Sequence, residues 1–303
     1  MSLKRCGGKL SAEKKDEQSL AFGGQALIEG VMMRSRRHMV MCVRKSDNEI
    51  ITNVEEISSL CDRYRVLGLP FLRGIVALFE TLYLGFKALF FSANAVAEEE
   101  GVKFTYKELA VVAVLALGLL SFFFAVPFLL TSLLNLSGVL FNIAEAIIRL
   151  AIFILYLVLV GTWGEFRRVL QYHGAEHKTI NAYEVGAPLD VANVKSYSRL
   201  HPRCGTSFLF ITVIVSIVLF SVMPDWGFVV RLSYRLLLIP VIGGVSYELL
   251  KLSGRYRDSL VMRIVTLPGL AFQRLTTREP SDDMIEVAIK AAEETIKLVS
   301  LKE

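Results

Sequence analysis

Residues 109–134 constrain the fold more than any other part of the chain, because these 26 residues include no charged side chain. At about 1.5 Å per residue, a helix of this length exceeds the roughly 30 Å hydrocarbon core of a bilayer. The whole chain of 303 residues is 53% hydrophobic and 21% charged. The sequence therefore predicts an integral membrane protein, built mainly of α-helices that form a polytopic bundle.

Further apolar runs extend the first one into a bundle of about four spans. Residues 109–163 are expected to form the first two membrane spans, and residues 206–252 the last two. The fourth span contains Pro240 and the pair Gly243-Gly244, which are typical of a kink or of a close contact between helices.

The segment 66–108 is apolar but carries three charged residues at seven-residue spacing, Arg73, Glu80 and Lys87. This period places all three on one helical face, where they are expected to form a ladder of ion pairs. A helix surrounded by lipid would not carry such a stripe. The segment is therefore predicted to be re-entrant or interfacial. A helix that crosses the membrane is the alternative.

The two ends of the chain are more polar than the centre. Residues 1–20 are predicted to be a flexible basic arm without the apolar core of a signal peptide. Residues 21–65 are predicted to form a small β-rich element, with GGQALIEGVMMR as one strand and two more strands around Ser46-Asp47-Asn48. Residues 253–303 are predicted to be a helical tail that ends in an amphipathic helix beginning near Ser281.

The distribution of basic residues predicts the orientation. Segments 1–65, 164–205 and 251–303 hold most of the Lys and Arg residues, and four spans place all three on one side. Both termini are therefore expected in the cytoplasm, and the cysteines are expected to be reduced. Membrane lipids are the expected partners, because topology and anionic lipid account for much of the +5 net charge without nucleic acid.

The polar segment 164–205 holds three of the four histidines. If a helix runs through YHGAEHKT, then His173, Glu176 and His177 lie on one face at i, i+3 and i+4. Two histidines at this spacing can bind a single zinc ion. Glu176 is the predicted catalytic residue, a general base that takes a proton from metal-bound water.

The remaining zinc ligands can come from two places. His201 and Cys204 form H-x-x-C, and together with His173 and His177 they would close the coordination of a structural zinc. Glu248, at the end of the fourth span, would instead leave a position open for water, as in a catalytic site. A polar helix junction that holds no metal is the third interpretation.

Four motifs in this chain together resemble the YqhQ-like family of bacterial membrane proteins. They are GGQALIEGVMMR, YHGAEHKTINAYE, HPRCGTSFLF and LTTREPSDDMIEVAIKAA, and they extend from about residue 22 to residue 293. The family is a domain of unknown function, at times described as predicted metal-dependent enzymes. The resemblance implies a multi-pass protein of the bacterial inner membrane and implies no substrate.

The leading hypothesis is a metal-dependent membrane enzyme, a zinc hydrolase that acts at the cytoplasmic leaflet. The rival hypothesis is a membrane assembly factor, scaffold or transporter component without enzymatic activity. In that protein the same residues would form a structural zinc site or a polar helix junction. The sequence also leaves open a homo-oligomer or another membrane protein as partner.

Overall fold

The computed structural model describes residues 23–98, 101, 105–202, 204–221, 227–255 and 260–300. The basic arm predicted for residues 1–20 lies outside these residues. Within them the protein is mainly helical, with one small antiparallel sheet near the N-terminus, as the sequence predicted.

The sheet has four strands in the order β1-β2-β3-β4. They are β1 (Gly23–Leu27), β2 (Gly30–Arg34), β3 (His38–Arg44) and β4 (Ile50–Glu56). The prediction of one strand for GGQALIEGVMMR is wrong, because the chain reverses between Leu27 and Gly30, which are paired in register. Glu29 adopts a positive φ of 51° in this turn, and a Cβ atom on Gly30 would lie 2.3 Å from the Cys42 carbonyl oxygen.

The helices of the described residues follow the sheet along the chain. They are α1 (Leu60–Arg63), α2 (Leu72–Ala97), α3 (Tyr106–Ser132), α4 (Gly138–Val160), α5 (Gly164–Glu184), α6 (Val191–Lys195), α7 (Gly205–Ser221), α8 (Phe228–Arg255), α9 (Leu260–Thr276) and α10 (Asp282–Ser300), with a 3-10 turn at Arg65–Gly68.

Both faces of the sheet are covered by helices. On one face Val31, Met33, Val40 and Cys42 pack in a core with residues of α5 and α10. On the other face Met32, Met39 and Met41 pack against the C-terminal half of α2. The sheet therefore joins α2 to the layer formed by α5 and α10, which includes the predicted amphipathic C-terminal helix.

Three helices of the described residues are long and apolar enough to cross a membrane: α2, α4 and the part Val229–Leu250 of α8. Four spans are not confirmed, because the apolar segments Ser121–Ser132 of α3 and Phe208–Ser221 of α7 are shorter. Helix α2 is among the three candidates, although its charged stripe predicted a re-entrant or interfacial segment.

The charged stripe of α2 does not form the predicted ladder. Arg73 donates to both carboxylate oxygens of Glu248 on α8. Glu80 accepts hydrogen bonds from the Ser59 hydroxyl and the Leu60 backbone N–H, whereas Lys87 pairs with Glu55 of β4. The charges therefore hold α2 to other elements instead of to one another.

Glycines allow α2 and α8 to approach closely beside the Arg73–Glu248 pair. A Cβ atom on Gly74 would lie 2.8 Å from the Gly244 carbonyl oxygen, closer than real Cβ contacts. The close helix contact predicted at Gly243-Gly244 is therefore confirmed.

Candidate metal centre

Helix α5 carries the three residues of the H-x-x-E-H motif on adjacent turns. It is not a continuation of α4, because the chain leaves helical geometry between Val160 and Gly164. The predicted spacing nevertheless holds, and the ring centroids of His173 and His177 lie 4.4 Å apart. The two imidazoles therefore face the same space.

Cys204, just before α7, completes a group of three residues that could hold a metal ion. The ligand atoms of His173, His177 and Cys204, here called the His–Cys cluster, all lie within 4.8 Å of one another. His173 Nε2 is 3.3 Å from Cys204 Sγ. Zinc bonds of 2.0–2.3 Å in a tetrahedron require ligand atoms roughly 3.3–3.8 Å apart, so small side-chain movements would suffice.

Backbone carbonyl groups fix the orientation of both imidazoles. His173 Nδ1 lies 2.8 Å from the Thr276 carbonyl oxygen, and His177 Nδ1 lies 2.7 Å from that of Arg199. Because a carbonyl oxygen only accepts hydrogen bonds, each Nδ1 must carry a proton, so Nε2 is the ring nitrogen that can bind a metal ion. Metal-binding histidines in proteins show this arrangement.

The environment of His177 favours its neutral form. The residue is 1% exposed, and burial lowers the pKa of its imidazole. Its Nε2 atom is buried and makes no hydrogen bond of ordinary geometry among the described residues, although the Cys204 thiol is close enough to oppose the effect of burial on the pKa. A buried nitrogen with a free lone pair next to a thiol is suited to bind a metal ion.

Glu176 lies one position before His177 and points into the contact between α5 and the sheet. It is 4% exposed, and its Oε2 atom has no hydrogen-bond partner in the described part of the chain. Burial raises the pKa of this carboxyl to about 7, and the nearby His173 opposes that rise. A carboxyl with this pKa can both take up and release a proton near neutral pH.

Gly24 of β1 makes room for the Glu176 side chain. A Cβ atom at Gly24 would lie 2.4 Å from Glu176 Oε1, which is too close for any real contact. The sequence interpretation assigned the glycines of this motif to tight turns and so missed this role. A glycine inside a strand pattern is the signal that could have indicated it, because such residues mark close approaches.

His201 lies beside the cluster but belongs to other contacts. Its Nε2 atom is 3.0 Å from Glu184 Oε1, and its ring centroid is 5.8 Å from that of His177. Gln273 of α9 holds the His201 backbone through two hydrogen bonds, of 2.9 and 2.8 Å. The predicted set of three histidines and one cysteine is therefore not assembled in these positions.

Glu248, the other predicted ligand, lies in the pair with Arg73 between α2 and α8. It is not part of the group of ligand atoms that converge around His173. The structure thus brings together three of the five predicted metal ligands.

The segment after α9 presses against α5 at a second glycine. A Cβ atom on Gly174 would lie 2.1 Å from the Arg278 carbonyl oxygen. The Arg278 N–H donates to the Leu170 carbonyl oxygen at 2.8 Å. This close contact positions the Thr276 carbonyl group against His173, a role that the sequence gave no reason to assign to Gly174.

The chain is similar to proteins that are described as uncharacterized or of unknown function. A family model described as protein of unknown function (DUF1385) matches residues 69–298. The uncharacterized protein YqhQ of Bacillus subtilis (strain 168) is 36% identical over 308 residues, which cover 93% of this chain and 94% of that protein. No solved structure matches. Neither description names a metal or a reaction, so metal binding and enzymatic activity stay predictions for this chain.

Proposed function

Because this chain belongs to the DUF1385 family of proteins of unknown function, we propose a function from its own site, that of a metal-dependent membrane enzyme. The specific proposal is a zinc hydrolase at the cytoplasmic face of the bacterial inner membrane. The observation that supports it is the shared orientation of two imidazoles. In each of them Nδ1 donates to a backbone carbonyl oxygen. His173 Nε2 lies 3.3 Å from Cys204 Sγ, and His177 Nε2 is buried without a hydrogen bond of ordinary geometry among the described residues.

The ligand set supports zinc in a catalytic role. Imidazole nitrogen and thiolate sulfur are the ligands that zinc prefers in proteins. Three protein ligands leave the fourth position to water, whereas a fourth protein ligand would close the site. His201 is engaged by Glu184, which favours the open arrangement over the closed one.

Zinc bound at such a site supplies a Lewis acid that lowers the pKa of a coordinated water molecule. The residues of the chain supply the rest. The Thr276 and Arg199 carbonyl groups hold the imidazoles of His173 and His177 in the orientation that a pair of ligands needs. Glu176, with a pKa of about 7, takes a proton from water and returns it to the leaving group.

The elements that carry the cluster support the proposed location. Three apolar helices support association with a membrane, and Cys204 directly precedes the apolar helix α7. The basic residues of the segment 164–205 favour the cytoplasmic side. The cluster then lies where α5 meets the bundle, close to the lipid headgroups.

One observation favours the rival function, in which the metal is structural. The ligands come from α5 and from the residue before α7, so a bound ion would fasten the layer of α5 and α10 to the bundle. A scaffold or assembly factor would need only that fastening. In such a protein Glu176 would have no role beyond its packing against Gly24.

Zinc content of the purified full-length protein tests the site. Wild type is expected to hold one zinc ion per chain, measured by plasma mass spectrometry, and Glu176→Gln is expected to keep it. His177→Ala and Cys204→Ser should lose it, because each removes a ligand. Cys61→Ser is the matched control, since Cys61 is partly buried and hydrogen-bonded to the Leu67 carbonyl oxygen instead.

Growth of a bacterium that lacks its own relative then separates the two functions. If Glu176→Gln keeps zinc but fails to restore the function of the missing relative, the enzyme is supported. If it restores that function as well as wild type does, the structural role is correct. Absence of zinc from wild type, after purification without chelators, would refute both versions of the metal site.

A further inference from the structure

An apolar pocket of about 170 Å³ lies between α3, α4, α7 and α9. Phe153 of α4 and Phe272 of α9 form one wall, with ring centroids 5.5 Å apart in a stacked arrangement. Leu209 and Val213 of α7 form the opposite part of the lining. The pocket is therefore built almost entirely from hydrocarbon surfaces.

The single charged residue of the lining does not make the pocket polar. The guanidinium group of Arg149 donates to Glu145 on its own helix and to the Phe123 carbonyl oxygen of α3 at 3.3 Å. Its side chain is 12% exposed. Arg149 therefore borders the pocket mainly through its aliphatic stem, as long cationic side chains commonly do.

Helices α7 and α9 connect the pocket to the His–Cys cluster, although His173 and His177 themselves lie on α5. Cys204 directly precedes α7, and Leu209 lies five residues further on, about 7–8 Å along the helix axis. On α9, Phe272 precedes Gln273, which holds the His201 backbone, and Thr276 accepts the hydrogen bond from His173. A molecule that fills the pocket would therefore have one end close to the cluster.

The pocket has the size and surroundings for part of a hydrocarbon chain. An apolar cavity of roughly 150 Å³ holds one benzene molecule, so this pocket has room for about six carbon atoms. Its walls belong to the apolar helices α4 and α7, which place it at the depth of the lipid chains. The abundant amphiphile at that depth is a membrane lipid.

We propose that this pocket binds the acyl chain of a membrane lipid and presents the adjoining ester group to the His–Cys cluster. The proposal rests on the hydrolase function proposed above and names its substrate class, an acylated lipid. In the hydrolysis of the ester, the water oxygen bonds to the carbonyl carbon and the bond from that carbon to the alcohol oxygen breaks. Glu176 transfers the proton from water to the alcohol, and the products are a carboxylic acid and an alcohol.

Photolabelling of the full-length protein in lipid vesicles tests the pocket. The probe is phosphatidylglycerol with a diazirine in its acyl chain, diluted into vesicles of phosphatidylglycerol and phosphatidylethanolamine. Peptide mass spectrometry then locates the labelled residues. Wild type is expected to be labelled more strongly at Phe153 and Phe272 than at Val218 of α7, which is 61% exposed.

Val213→Phe fills the pocket, and Val218→Phe makes the same change on the exposed face of the same helix. Labelling at Phe153 and Phe272 should fall about tenfold in Val213→Phe, the effect that a modest steric clash has on a binding constant. It should stay at the wild-type level in Val218→Phe. Undiminished labelling in Val213→Phe, or wild-type labelling no stronger than at Val218, would overturn the proposal.

Zinc content and fatty-acid release, measured on the same samples, separate this inference from the function on which it rests. Val213→Phe should keep its zinc but release less fatty acid from phosphatidylglycerol than Val218→Phe does. If the pocket is labelled but wild type contains no zinc, the acyl-chain site is supported and the hydrolase is refuted. If zinc is present and Val213→Phe leaves labelling unchanged, the hydrolase stands and the acyl-chain site is refuted.

Discussion

Two buried polar clusters in this protein contain similar numbers of ionisable residues but differ in how their atoms are paired. In the helix bundle, Glu145 of α4 pairs with Arg149 of the same helix and with Arg235 of α8. Asn142 accepts a hydrogen bond from Arg235 and donates one to the Phe220 carbonyl oxygen of α7. This group of Glu145, Arg149 and Arg235, the bundle network, connects α4 to α8, and Asn142 extends the contacts to α7.

Among the described residues, the His–Cys cluster and its neighbour Glu176 form no ion pair with one another, unlike the bundle network. His177 Nε2 and Glu176 Oε2 are buried and lack hydrogen-bond partners among the described residues. Glu145 Oε2 and Arg235 Nε and Nη1 of the bundle network also lack hydrogen bonds, but these two side chains are opposite charges that form an ion pair. The ion pairs of the described residues include none with Glu176, so its buried oxygen calls for a ligand or a chemical role. The comparison therefore predicts that the bundle network stabilises the fold and that the cluster binds a ligand.

The largest expected effect is on stability, from Glu145→Leu. Glu145 is 1% exposed, and its loss leaves the charges of Arg149 and Arg235 buried without their carboxylate. Removal of one partner from a buried pair costs about 3–5 kcal/mol. Thermal unfolding of the detergent-solubilised protein should show a large fall in melting temperature.

Glu165→Leu on α5 is the control, because Glu165 is exposed and its replacement should leave the melting temperature nearly unchanged. Zinc content in Glu145→Leu should stay normal where the protein is folded. Equal melting temperatures for the two variants would show that the bundle network does not stabilise the fold.

The second effect is on metal affinity, from Gly174→Ala. The added methyl group would lie 2.1 Å from the Arg278 carbonyl oxygen, so α5 and the segment after α9 must separate. That movement withdraws the Thr276 carbonyl group from His173. Loss of such an outer contact typically weakens metal binding about 10–100-fold. Competition with a chromogenic chelator would measure the change.

Gly164→Ala is the matched control on the same helix, because nothing lies within 4 Å of a Cβ atom there. It should bind zinc as wild type does. If Gly174→Ala also binds zinc normally, the Thr276 carbonyl group does not orient the ligand.

The sequence predicted the parts of this protein that depend on local pattern. Apolar runs, the amphipathic tail and the i, i+4 histidines follow from the periodicity of residues along one helix. The membership of Cys204 in the cluster was also predicted, because H-x-x-C lies near the motif. The partners of the charged residues were not, since Arg73, Glu80 and Lys87 pair with residues of other elements.

Contacts between distant segments explain the other residues whose roles the sequence did not predict. Glu248 was a candidate ligand because its position in the fourth span is suitable, but Arg73 lies 175 residues away in the chain and binds it in a bidentate pair. Gly24 and Gly174 act through atoms of other elements, Glu176 and Arg278. No local pattern contains that information, because helix and strand periodicity report which face a residue occupies and not what covers it.

The third effect is on the protonation of Glu176, from Gly24→Ala. In the metal-free protein this carboxyl has a pKa of about 7 instead of 4.5, so the folded state holds its proton between these pH values. The free energy of unfolding therefore falls as the pH rises through this window, by about 1.4 kcal/mol for each pH unit. Gly24→Ala pushes the carboxyl toward water and should lower its pKa by about one unit.

Infrared spectra of the carboxyl C=O band, assigned with Glu176→Gln, would measure that pKa. Gly23→Ala is the matched control on the adjacent residue, where a Cβ atom meets nothing within 4 Å. It should titrate as wild type does. A Glu176 pKa that is the same in both variants would show that Gly24 does not control the burial of the carboxyl.

The smallest expected effect is that of His201→Ala. It decides whether the metal site has a coordination position without a protein ligand. This histidine is bonded to Glu184 and lies outside the group of converging ligand atoms. Its replacement should reduce stability by about 1 kcal/mol, the value of a typical hydrogen bond. Zinc affinity should change by less than about threefold, because His201 is not one of the converging ligands and its replacement removes no bond to the ion.

The absorption spectrum of the cobalt-substituted protein provides a second measurement of the same point. A cobalt ion with two imidazoles, one thiolate and water gives the same bands with and without His201, whereas a fourth protein ligand would change them. Loss of zinc in His201→Ala comparable to that in Cys204→Ser would mean that His201 leaves Glu184 when the metal binds. The site would then be closed, and the comparison with the bundle network would change, because both clusters would stabilise the fold.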